Sequence, residues 1–124
     1  MSSIVLFAGD AERTGAFYSA LGVPLDAEDH GDGPVHLAAD LGGVQFAVFQ
    51  APGESSSRAA PWRDAGSDLP GFYVESLDNA LRALRALEAT ALTDHEQRPR
   101  GCRAIAEDPD GRAVEINQRA QCPD

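Results

Sequence analysis

The residues best equipped for chemistry lie in Glu107-Asp108-Pro109-Asp110-Gly111-Arg112-Ala113-Val114-Glu115-Ile116-Asn117. Pro109 presets φ at the second turn position and Gly111 supplies positive φ at the exit, so the segment reads as a tight turn feeding a strand. Along that strand Val114 and Ile116 point one way, while Ala113, Glu115 and Asn117 point the other. Glu115 therefore faces either solvent or a cavity. Four roles stay open for it: metal ligand, general base, polar contact for a bound compound, or remnant of an ancestral metal site. Arg103, on the preceding strand candidate, can pair with Glu115 or with a ligand anion.

Other side chains of interest are few. His36 lies on a strand and can reach a cavity; His30 beside Gly31 and His95 beside a polar run read as exposed. No histidine pair has metal spacing. Phe7, Phe49 and Tyr73 share strand phase with Gln45 and Glu115, which makes them either filler or the walls of an aromatic slot. Trp62 follows Pro61 in a polar linker and either stacks over a flat ligand or pins the linker. Cys102 and Cys122 form no C-x-x-C; the first reads as a small strand residue, the second as part of a frayed tail. No G-x-S-x-G, P-loop or G-x-G-x-x-G occurs.

Bulk properties narrow the classes. The chain has 124 residues and 43% hydrophobic content, enough for a modest folded core. Its formal net charge of -10 repels phosphate backbones and anionic lipid, so neither a nucleic acid nor a membrane is an expected partner. All 10 basic residues are arginines, which excludes lysine nucleophiles and Schiff bases. No signal peptide is visible, no apolar run is long enough to span a bilayer, and a soluble cytoplasmic protein is the default expectation.

The elements that must hold these residues come in a repeated order. Ile4 to Ala8 reads as a buried strand, and Asp10 caps a helix through about Leu21, with Gly22 past its end. Phe17, Ala20 and Leu21 give that helix its apolar face. Strand candidates follow at about 23–29, 34–40 and 43–50. A polar linker with Pro52, Gly53, Ser55, Ser56, Ser57, Pro61 and Gly66 occupies 51–68. Phe72 to Val74 then reads as a strand, and Ser76 as a helix cap. Leu77, Ala80, Leu81, Leu84 and Leu87 share one helical face through about Ala89. Three more strands are expected near 91–95, 101–107 and 112–118. A shift of about 66 residues lays Ala8 on Val74 and Asp10 on Ser76, so the order is βαβββ twice. Module 1 spans about 1–50 and module 2 about 69–118, with a tail at 119–124.

This duplicated order resembles the vicinal oxygen chelate superfamily of glyoxalases, bleomycin-resistance proteins and dioxygenases. The resemblance rests on Asp10-Ala11-Glu12-Arg13-Thr14-Gly15-Ala16-Phe17-Tyr18 with Leu21-Gly22, and on Asp108-Pro109-Asp110-Gly111 through Glu115-Ile116. It implies an α+β fold of two modules in a curved, incompletely closed barrel around a cavity, and a homodimer. It also implies that any metal is held by His, Glu or Gln on the first and last strand of each module. Strand phase puts Ser3, Gln45, Leu69 and Glu115 there, a weak set for Zn, Ni, Fe or Mn. The expected function is therefore metal-free binding of a small hydrophobic or aromatic compound, as in resistance or sequestration, with no cofactor. Phe7, His36, Gln45, Phe49, Trp62, Tyr73, Arg103 and Glu115 are the expected contacts. Two alternatives stay open. One is a metal-dependent lyase, transferase or dioxygenase using, for example, His36 with Glu115 and Gln45. The other is a noncatalytic dimeric interaction module.

Overall fold

The computed structural model describes residues 1–28, 35–51 and 69–122. The chain divides into two compact units, Met1–Ser57 and Arg58–Asp124. Among the described residues the fold is mixed α+β, with two helices and two sheets, each of them open rather than closed on itself.

The first unit runs β1 (Ser3–Ala8), α1 (Ala11–Ala20), β2 (Asp26–Glu28), β3 (His36–Leu41) and β4 (Val44–Gln50), the βαβββ order expected. Its sheet has the order β1-β4-β3-β2, with β1 parallel to β4 and the other pairs antiparallel. Asp10 holds extended φ/ψ and its carboxylate accepts from the N–H groups of Glu12 and Arg13, so α1 starts where the capping rule puts it. The alternation read from the sequence holds. Leu6, Ala8, Phe46 and Val48 are buried with Phe17 and Tyr18 of α1, while Ser3, Val5 and Phe7 are exposed. Tyr18 links the helix to the sheet, its ring 5.1 Å from both Phe17 and Phe46.

The second unit runs β5 (Gly71–Val74), α2 (Leu77–Ala86), β6 (Thr90–Ala91), β7 (Glu96–Arg98), β8 (Gly101–Glu107) and β9 (Ala113–Gln118). Its order is β5-β9-β8-β6, with β7 also paired to β8 and β5 parallel to β9. Ser76 caps α2 through Asn79 N–H. Leu77, Ala80 and Leu84 are buried as the helical spacing requires, whereas Leu81 is half-buried and Leu87, at the C-cap, is exposed.

Two expectations need correction. The strand foreseen near 91–95 is broken into β6 and β7, so this unit has four strand segments after its helix. Leu92 to His95 stand opposite only Ala104 and Ile105, which forces a bulge. There the N–H groups of Leu92 and Thr93 both donate to the Ile105 carbonyl, and the Thr93 hydroxyl accepts from Ile105 N–H. The threonine side chain replaces a lost ladder partner, a substitution no alternation pattern encodes.

The second correction concerns the cysteines. Cys102 and Cys122 form a disulfide, with Cα atoms 5.7 Å apart, and both are buried. Cys122 is no frayed tail. Its carbonyl accepts from Gln97 Nε2 at 2.7 Å, its N–H donates to Gln97 Oε1 at 3.3 Å, and Gln121 Nε2 donates to the Arg98 carbonyl at 2.6 Å. No helix among the described residues is long and apolar enough to cross a membrane.

Candidate functional site

Asp108 fixes the turn that leads to Glu115. Its Oδ1 accepts from the N–H groups of Asp110 and Arg112, its Oδ2 meets the Arg112 guanidinium at 2.6 Å, and its side chain is fully buried. Gly111 exits at φ 83°, the positive value the sequence demands. β9 therefore enters the sheet in one phase, with Val114 and Ile116 buried and Glu115 on the other face.

On that face Glu115 is already engaged. Its Oε2 accepts from Arg103 Nη1 at 3.2 Å, and its Oε1 accepts from Asn117 Nδ2 at 2.9 Å. Arg103 also reaches Glu96 at 3.5 Å, so one guanidinium lies between two carboxylates. The Arg103 and Glu115 side chains are only 21% and 24% exposed, and the pair is shielded from most solvent. The sequence offered Arg103 as a partner for Glu115 or for a ligand anion, and in the structure it meets Glu115. Asn117 and Glu96 were not proposed, although Asn117 shares Glu115's phase and was a detectable signal.

The two units repeat one another more closely than sequence showed. Gln50 ends β4 and accepts from Ala11 N–H at 3.0 Å; Gln118 ends β9 and accepts from Leu77 N–H at 2.7 Å. Each glutamine thereby hooks the last strand to the first residue of a helix. Ala8 pairs with Gln50 and Val74 with Gln118, which aligns the repeats. Counting back three residues from each glutamine equates Glu115 with Ala47, and their register partners Gly71 and Val5 with each other. Gln45, paired with Ser3, falls two residues earlier and corresponds to Ala113. Leu69 precedes β5 and is exposed. The four positions equivalent by register are Val5, Ala47, Gly71 and Glu115, and only the last carries a donor side chain. Among the described residues no three His, Cys, Asp or Glu side chains gather in a metal-holding group.

In the first unit three expected contacts come together. His36 is buried and stacks on Phe49, with centroids 4.2 Å apart and planes 9° from parallel; Phe7 follows at 6.2 Å from Phe49. His36 Nε2 lies 3.2 Å from Glu28 Oε2, its register partner on β2, a contact the sequence reading missed. Phe7 is 58% exposed and Val5 45%, so this sheet face carries an uncovered apolar surface. Gln45 instead lines a hollow of about 420 Å³ with Asp26, Glu28 and Asp40. In the second unit Tyr73 is 62% exposed, and the Arg119 guanidinium lies 3.7 Å above its ring. His95 is exposed. Trp62 and His30 lie outside the described residues.

Solved structures of the same fold cover nearly the whole chain. A glyoxylase/bleomycin resistance protein/dioxygenase domain from Frankia sp. EAN1pec matches at 22% identity and TM-score 0.70, covering 96% of each chain. TnmS3, an antibiotic binding protein from Streptomyces sp. CB03234, matches at 20% identity and TM-score 0.65, covering 97% of this chain and 95% of its own. Lactoylglutathione lyase from Agrobacterium tumefaciens matches at 23% identity and TM-score 0.58, covering 95% and 92%. No curated protein matches. The model of one family matches residues 1–116, which include both capped helices, the Gln50 hook and the turn and strand from Asp108 to Glu115. With the duplicated sheet and helix units already seen, this match means that the chain belongs to the Glyoxalase/Bleomycin resistance protein/Dioxygenase superfamily.

Proposed function

We propose that this protein binds a small hydrophobic or aromatic compound without a metal and does not transform it. One observation carries the reading: the single carboxylate among the four register-equivalent positions is held by Arg103 and Asn117. A guanidinium at 3.2 Å supplies the positive charge a divalent ion would otherwise bring, and both carboxylate oxygens have donors. Val5, Ala47 and Gly71 add none. The stacked His36 and Phe49 with exposed Phe7 offer a flat surface suited to an aromatic ring. That TnmS3 is an antibiotic binding protein makes resistance or sequestration a reasonable role. A homodimer belongs to the same reading and is checked by sedimentation.

Elemental analysis of protein purified without chelator tests it, followed by melting scans with Ni, Zn, Mn and Fe added singly. The expected result is substoichiometric metal and no shift. A panel of aromatic natural products should give saturable binding that Phe49→Ala weakens by about 10-fold, the scale of one lost stacking contact. Near-stoichiometric metal, or several degrees of stabilisation by one ion, would overturn the reading in favour of a metal-dependent lyase, transferase or dioxygenase.

A further inference from the structure

The second unit carries a positively charged cleft on an otherwise acidic chain. Tyr73, Arg98, Pro99, Arg100, Cys102 and Asn117 are among the residues lining this open cleft of about 410 Å³. Residues 97–103 and 116–122 contain Arg98, Arg100, Arg103 and Arg119 and no Asp or Glu. These are four of the chain's 10 basic residues, against a net charge of -10. Arg103 is committed to Glu115 and Glu96. Arg98 reaches Glu96 only at 3.9 Å, and Arg100 makes no ion pair among the described residues. Arg98, though paired with Glu96, and Arg100 are both exposed, and the Arg119 guanidinium lies over the Tyr73 ring.

The cleft is also built firmly. Gly101 opens β8 hard against β9: a Cβ there would run into the Gln118 carbonyl, so only glycine fits. The disulfide and the Gln97 and Gln121 hydrogen bonds hold the arginine-bearing turn to the chain that follows β9. The arginines are thus presented from a clamped hairpin rather than from a free end.

We propose that this cleft binds a small planar organic anion, specifically an aromatic carboxylate. Planar guanidinium groups match a carboxylate in fork geometry. Tyr73 and Pro99 give the body of the compound an apolar wall. All of the residues lining it belong to the second unit.

Titration of 15N-labelled oxidised protein with benzoate, inorganic phosphate and the neutral benzyl alcohol tests it. Benzoate should bind saturably, with a Kd in the millimolar range or tighter, and shift the amides of Tyr73, Arg98, Arg100, Gly101 and Cys102. Arg98→Gln/Arg100→Gln should weaken it at least 10-fold, Tyr73→Ala should weaken it several-fold, and added salt should weaken it further. Phe7→Ala/Phe49→Ala should leave benzoate binding unchanged, which separates this site from the proposed function. Four results would overturn the proposal: no saturable benzoate binding, equal binding of phosphate or benzyl alcohol, undiminished binding in the double arginine variant, or shifts confined to the first unit.

Discussion

At the level of single residues, Glu115 shows how far a sequence goes toward a site. Its turn, strand phase and candidate partner were all readable, because each follows from local geometry: a proline, a glycine and an alternation. Its neutralisation by Arg103 depends on which β8 residue stands near it across the antiparallel pair, and a slip of one residue would have turned Arg103 to the other face. A double-mutant cycle measures the bond. Arg103→Met should destabilise by about 1–2 kcal/mol in urea unfolding, since it strips a shielded carboxylate of its charged partner. Glu115→Gln in that background should recover part of the loss, and simple additivity would mean the pair contributes nothing. His36 taught a different lesson. Its stacking on Phe49 joins two strands whose phase was known, but its tie to Glu28 rests on a hairpin register with no sequence signal.

At the level of elements, the helices were legible and the sheet edges were not. Asp10 and Ser76 cap where expected; Leu77, Ala80 and Leu84 are buried as predicted while Leu81 is half-buried, and in α1 Phe17 is buried together with Thr14, Gly15 and Tyr18, which the predicted face left out. The split between β6 and β7 escaped because Thr93 satisfies Ile105 with its side chain, a partner invisible to periodicity. The glutamine hooks escaped too, being contacts of residues 39 and 41 positions apart. Their loss is predicted to matter equally in the two units. Gln50→Ala and Gln118→Ala should each cost about 1 kcal/mol, the scale of one helix-terminal hydrogen bond. Melting curves of the two variants should shift by similar amounts; a shift in one alone would mean the repeats are not energetically equivalent.

At the level of the whole molecule, duplication was the feature that revealed the family, since it constrains element order over nearly the entire chain. Placing the four ligand positions by strand phase within each module was less secure. Only the register of both sheets shows that Glu115 answers to Ala47 and not to Gln45. The disulfide could not be read from two cysteines with a separation of 20 and no motif. Closing a loop of that size is worth about 3 kcal/mol in the chain-entropy account. Reduction should therefore lower the melting temperature by several degrees, and an unchanged midpoint would mean the Gln97 and Gln121 contacts suffice alone. The same bond has an analytical signature. With no lysine in the chain, trypsin cuts only after arginine, and Arg100, Arg103 and Arg119 flank the two cysteines. A digest of oxidised protein should release the tripeptide Gly101-Cys102-Arg103 still joined to the peptide that begins at Ala120. A reducing agent should split that one mass peak into two, giving a direct readout of the bond's occupancy in protein taken straight from cells.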